Sequence, residues 1–106
     1  MLNKPSKDRL RQLPGLYETE NIPARDKIMH LHFFLGDSHW FAAEFDGEDL
    51  FFGFAVLGGD MQNAEWGYFS LAELDSVKVL GVFPVVCDQN WHPTPAGEID
   101  IIKECL

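Results

Sequence analysis

At 106 residues, with 46% hydrophobic residues that include nine Phe and three Trp, the chain fits one domain with a real core, which excludes wholesale disorder. Seventeen acidic against eight basic side chains leave a net charge of −9, which disfavours a grip on nucleic-acid phosphates and favours solubility or a basic partner. Cys87 and Cys105 show neither a disulfide framework nor zinc-knuckle spacing, and the start Met1-Leu2-Asn3-Lys4-Pro5 lacks a signal peptide's apolar run, so a cytoplasmic setting with reduced thiols is expected.

The charge is unevenly placed. Residues 1–27 carry six Lys/Arg against four Asp/Glu, whereas residues 28–106 carry two against thirteen. In the basic part, Ser6 is spaced to cap a helix over Lys7–Leu13, with Leu10 and Leu13 on one face and Pro14-Gly15 ending it. Leu16 to Pro23 reads as an irregular connection in which Leu16 and Tyr17 are available as apolar anchors.

Ile28 to Leu35 is the first clear strand, with Met29, Leu31, Phe33 and Leu35 on one face and His30, His32 and Phe34 on the other. Gly36-Asp37-Ser38 turns the chain into a second strand, in which Phe41, Ala43 and Phe45 are expected to point inward. That choice allows two registers, one setting His30 opposite Glu44 and the other setting His32 there. A third strand, Leu50 to Val56, follows the turn Asp46-Gly47-Glu48-Asp49. The four-residue loop is preferred to a two-residue one, because the latter would face Glu44 against Asp49 across the ladder. The outer surface of this meander would then show His30, His32, Phe34, Trp40, Ala42, Glu44, Phe51 and Gly53, which is too apolar to stand bare in water.

Glu65-Trp66-Gly67-Tyr68-Phe69 reads as a short strand leading into one helical turn, where Ser70 and Glu73 have capping-box spacing. Val77 to Val86 is β-branched but broken by Gly81 and Pro84, which suits an edge strand with a bend. Thr94 can cap a C-terminal helix starting at Pro95, with Ile99, Ile102 and Leu106 along one stripe. The sum is a single α+β domain over residues 1–106: a twisted antiparallel sheet of about four to five strands, a short N-terminal helix, and a C-terminal helix packed on the sheet.

Leu16-Tyr17-Glu18-Thr19-Glu20, Ala43 to Asp49 with Phe51-Phe52-Gly53, Glu65 to Leu74, and Asp88 with Trp91-His92-Pro93-Thr94-Pro95 together resemble the domain of unknown function 2958 family. The resemblance spans nearly the whole chain. It implies a short bacterial protein, often carried on plasmids or other mobile elements, and it brings no assigned activity and no catalytic residue.

Four constellations bear on chemistry. His30 and His32 with Glu44 could form a two-His-one-carboxylate site for zinc or iron, as in a small metal-dependent hydrolase, although sheet histidines more often serve structure. Asp46, Glu48 and Asp49 beside Glu44 could hold magnesium or calcium, but the turn itself demands Asp and Gly, and no calcium-loop order is present. Cys87 in an apolar strand and Ser70 at a helix cap make poor nucleophiles. Aromatic residues bordered by carboxylates suit a protein interface, with Trp40, Phe51, Glu44, Asp46, Glu48 and Asp49 as its candidate residues. The expectation is therefore a non-enzymatic binding or accessory module that needs no cofactor and recognises a protein partner of basic character, binding neither nucleic acid nor membrane. Two alternatives are the metal-dependent hydrolase and an acidic decoy that imitates DNA.

Overall fold

Alternating apolar residues build a five-stranded antiparallel sheet at the centre of the computed structural model, which describes residues 1–106. The strands are β1 (Ile28–Met29), β2 (Leu31–Leu35), β3 (Ser38–Phe45), β4 (Leu50–Val56), β5 (Glu65–Ser70), β6 (Lys78–Val79), β7 (Phe83–Pro84), β8 (Val86–Cys87) and β9 (Thr94–Pro95). The main sheet has the order β5-β4-β3-β2-β8, while β1 pairs with β9 and β6 with β7. Three short helices complete the α+β architecture: α1 (Lys7–Arg11), α2 (Leu71–Ser76) and α3 (Asp100–Lys103). None is long and apolar enough to cross a membrane.

Both faces of the sheet are covered. On one, Leu31, Phe33, Trp40, Ala42, Phe45 and Phe51 pack beneath Leu13, Leu71 and Leu74. On the other, Met29, Phe41, Ala43, Phe54 and Val56 pack beneath Ala96, Ile99 and Ile102 of the C-terminal segment. Each fully buried Leu, Ile, Val, Met or Phe side chain among these contributes about 1.5–3 kcal/mol relative to exposure.

The register of the first hairpin differs from both sequence-based options. Leu35 pairs with Ser38, leaving the two-residue turn Gly36-Asp37, and Leu31 pairs with Ala42. Gly36 has φ +57°, the left-handed conformation a tight hairpin turn requires and glycine adopts without steric cost. The shorter loop reverses the parity of β3 against β2, so Trp40 and Ala42 share a face with Leu31 and Phe33, and Phe41 faces the opposite way beside His32.

A bulge then exchanges two residues. Ala42 pairs with Gly53, but Glu44 pairs with Phe52 and Phe45 with Phe51, leaving Ala43 without a partner in the ladder. Strict alternation would send Glu44 into the core with Trp40 and Ala42 and would turn Phe45 out. The extra residue instead returns Phe45 to that core and carries Glu44 to the other side. Gly53 lies opposite the bulge, and a Cβ there would collide with the Phe41 carbonyl. Asp46 to Asp49 lie between β3 and β4, but the bulge shifts the register at this end. Phe45 pairs with Phe51, not with Leu50 as the expected four-residue loop requires, and the Asp46 amide donates to the Leu50 carbonyl at 2.9 Å.

Further departures lie near the C-terminus. Val77 to Val86 is not one bent edge strand: it reverses at Leu80-Gly81 into the β6–β7 hairpin, and only Val86–Cys87 joins the main sheet, beside β2. Thr94 and Pro95 do not open a helix, because they pair with Met29 and Ile28; a 3₁₀ turn follows at Ala96–Glu98, and α3 begins only at Asp100. The remaining caps form as their spacing predicts, with Ser6 accepting from the Arg9 amide at 3.2 Å and Ser70 from the Glu73 amide at 3.2 Å.

Gly53→Ala is expected to lower stability by ~1–3 kcal/mol, the range for forcing a methyl into close-packed structure. Urea denaturation followed by circular dichroism reads this directly, and an unchanged midpoint would contradict the steric account of the bulge.

Candidate functional site

The bulge delivers Glu44 to a buried position beneath the connection that follows α1. Its Oε1 accepts the Tyr17 amide at 2.9 Å and its Oε2 accepts the Thr19 amide at 3.1 Å, while the Thr19 hydroxyl also donates to Oε2. Lys27, buried as well, donates through Nζ to the Thr19 carbonyl and, at 3.2 Å, to the Thr19 hydroxyl oxygen. Thr19 thus joins a buried ammonium to a buried carboxylate, with its one hydroxyl proton directed at Glu44. Every hydrogen bond here involves a charged group, the class that contributes about 1.5–3 kcal/mol each.

This arrangement bends the connection. Tyr17 has φ +70°, an uncommon conformation for a residue with a side chain, and it turns its amide toward Glu44 and its ring to solvent. Tyr17 is therefore not the apolar anchor suggested by its neighbours. With Glu20, Lys27, Glu44, Phe52 and Tyr68 it lines a concavity of about 270 Å³. The neighbouring Tyr17 hydroxyl, more than desolvation or the Glu44 charge, holds the Tyr68 hydroxyl above the ordinary tyrosine value.

The histidines assemble differently from the expected ligand set. His32 pairs with Phe41, the His30 amide donates to the Ala42 carbonyl, and Glu44 faces Phe52, so Glu44 lies opposite neither histidine. No three His, Cys, Asp or Glu side chains come together as a metal-ligand group. His32 instead connects His39 and Asp88: its Nε2 is 2.9 Å from His39 Nδ1, and its Nδ1 is 3.4 Å from Asp88 Oδ2. Its ring stacks on Phe41 at a centroid distance of 4.6 Å and lies 5.1 Å from that of Trp91, whose indole N–H donates to the Met29 carbonyl at 2.9 Å. Burial lowers the pKa of His32, opposed by the Asp88 hydrogen bond; burial also lowers those of His30 and His39, the latter opposed by Asp37.

The other candidate binding residues serve the fold. Trp40 and Phe51 are buried in the core between the sheet and the two helices. Asp46 closes its own turn, its Oδ1 accepting the amides of Glu48 and Asp49 at 2.8 Å and of Leu50 at 3.0 Å; these bonds, those from Asp49 and Glu48 first, hold its carboxyl below the usual range. Asp49 caps α2 by accepting the Ala72 amide at 2.7 Å and the Ser70 hydroxyl. Of this set only Glu48 remains an exposed carboxylate without a structural bond to its side chain. Burial raises the pKa of Cys87, which, like its place in the sheet, argues against a reactive thiol.

The most open apolar surface lies elsewhere, on the β6–β7 hairpin. Val77, Val79, Leu80, Val82 and Phe83 are all exposed, from 38% at Val77 to 84% at Leu80. Leu80 and Gly81 form the tip with φ of +56° and +69°, so the hairpin holds a leucine at its apex in a conformation that costs most residues free energy. Val77 to Val86 contains no acidic residue and one lysine, Lys78, within a strongly acidic chain. The run of β-branched residues was legible in the sequence. Its exposure was not, because exposure depends on the hairpin standing clear of the main sheet.

The family described as "Protein of unknown function (DUF2958)" matches residues 6–96, and the chain belongs to that family. No curated protein and no solved structure matches the chain.

Glu44→Gln keeps the size of the side chain but directs an amide N–H₂ toward donors, and it is expected to lower stability by ~2–3 kcal/mol in urea titrations. Loss of less than about 0.5 kcal/mol would mean that the connection is held by something else. The histidines predict the pH response. Their folded values lie below 6.5, so below that pH the unfolded chain binds more protons than the folded one. Their contribution is complete above 6.5 and declines as the pH falls beneath it. Calorimetric Tm should therefore drop between about pH 7 and about pH 5, with a shallower slope in His32→Asn. A flat profile would contradict the burial of these rings.

Proposed function

We propose that this member of the DUF2958 family is a non-enzymatic binding module whose β6–β7 hairpin inserts into an apolar socket on a protein partner. The observation that carries this reading is the cluster of five exposed apolar side chains from Val77 to Phe83 around the Leu80-Gly81 tip. Contiguous exposed apolar surface on a small domain is costly in water and marks interaction sites more often than chance, and anchors that enter pockets supply most of an interface's energy. The acid-free hairpin emerges from a chain of net charge −9, so a partner with a basic rim around its socket would be steered by the surrounding carboxylates without a charge being buried at the tip.

Two further observations favour binding over chemistry. Asp46 and Asp49 of the acidic turn are occupied by backbone amides and the Ser70 hydroxyl, and Glu44 by three protein donors. The unpaired thiols Cys87 and Cys105 suit a reducing, cytoplasmic compartment, and the bacterial mobile-element setting implied by the family resemblance belongs to the same proposal.

Leu80→Asp and Phe83→Ser replace exposed side chains, so both variants should keep the wild-type Tm and circular dichroism spectrum. Each is expected to lose at least about tenfold in affinity for the protein co-purified with the tagged wild type, since loss of one central anchor exceeds about 1.4 kcal/mol. Undiminished capture by both variants would overturn the assignment of the hairpin.

A further inference from the structure

The concavity beside Glu44 lies on the opposite side of the sheet from the core under α1 and α2, at the margin formed by β5. Strand β5 pairs only with β4, which leaves its other side as a free edge of the main sheet. It is six residues long and carries neither lysine nor proline, two of the residues that ordinarily blunt such an edge. Gly67 sits in its middle, and no atom lies within 4 Å of where its Cβ would be.

The charges of the concavity do not cancel. Glu44 and Lys27 are joined through Thr19, so the buried carboxylate and ammonium compensate one another. Glu20 is left over. It is an exposed carboxylate with no hydrogen-bonding or ion-pair partner, at the mouth of a site walled by Phe52 and by the exposed rings of Tyr17 and Tyr68. Aromatic faces with one uncompensated carboxylate attract a cationic side chain through the ring quadrupoles and the charge together. Tyr68 belongs to β5, pairing with Phe52 of β4, so a group held against it would come from a chain running along the free edge.

We infer that the β5 edge accepts an extended peptide strand and that an arginine or lysine of that peptide enters the concavity between Tyr17 and Tyr68, with Glu20 as its counter-ion. Strand addition supplies main-chain hydrogen bonds, and the aromatic-acidic cavity selects the side chain. This site is separate from the β6–β7 hairpin and goes beyond the reading given for it.

The test is an NMR titration of the full chain with two peptides, acetyl-Thr-Val-Arg-Val-Thr-amide and its norleucine counterpart. The arginine peptide should shift the amides of Glu65–Ser70 and the ring resonances of Tyr17 and Tyr68, and should bind about tenfold more tightly than the norleucine peptide. Glu20→Gln and Tyr68→Leu should each remove most of that preference, and Leu80→Asp should leave it intact, which separates this site from the hairpin. Equal affinity for the two peptides, an unchanged preference in both variants, or shifts confined to other strands would overturn the inference.

Discussion

The buried carboxylate of Glu44 is the constraint on which the rest of the structure depends. A carboxylate taken out of water is costly unless it is paired and hydrogen-bonded, and this one receives two backbone amides and a threonine hydroxyl while Lys27 reaches the same threonine. Meeting that demand fixes the path of the chain between α1 and β1. Tyr17 is driven into a left-handed conformation, and the Pro14 carbonyl accepts the Phe45 amide at 2.9 Å one residue beyond Glu44. The same pairing joins the basic N-terminal part to the acidic remainder at a buried point, so the uneven charge distribution is partly a folding device.

The bulge at Ala43 makes this geometry compatible with an apolar core. Without it the carboxylate would enter the apolar layer of Trp40, Ala42 and Phe51, away from the Tyr17 and Thr19 donors, and Phe45 would leave that layer. With it, one side of β3 stays apolar from Trp40 to Phe45. The other side carries stacked aromatic and imidazole rings at one end and the Glu44 network at the other. Gly53 is the complementary adaptation on β4, where the backbones approach too closely for any side chain.

Polar residues that look most functional in isolation are those the fold uses most completely. Asp46 and Asp49 terminate backbone donors in their own turn and at α2, and His32 bridges His39 and Asp88. What remains unused is apolar or aromatic and exposed: the β6–β7 hairpin, and the Tyr17–Tyr68 margin of β5 with Glu20. That distribution is the physical ground for the proposed binding role, since exposed apolar surface costs free energy in the isolated chain and a partner would bury it.

The sequence by itself determined what local chemistry decides. The Ser6 and Ser70 caps, a turn at Asp46 to Asp49, the meander of β2, β3 and β4, and the α+β class all follow from residue spacing within a few positions. Only the tertiary structure decided which face each strand presents, because parity turned on a two-residue turn at Gly36-Asp37 and on one extra residue at Ala43, and both shift a whole side-chain set across the sheet. For the same reason His30 and His32 did not meet Glu44, whereas Thr19 did and Lys27 reached that threonine. Those contacts join residues 25 and 8 positions apart, a separation at which no periodic pattern in the chain carries a signal.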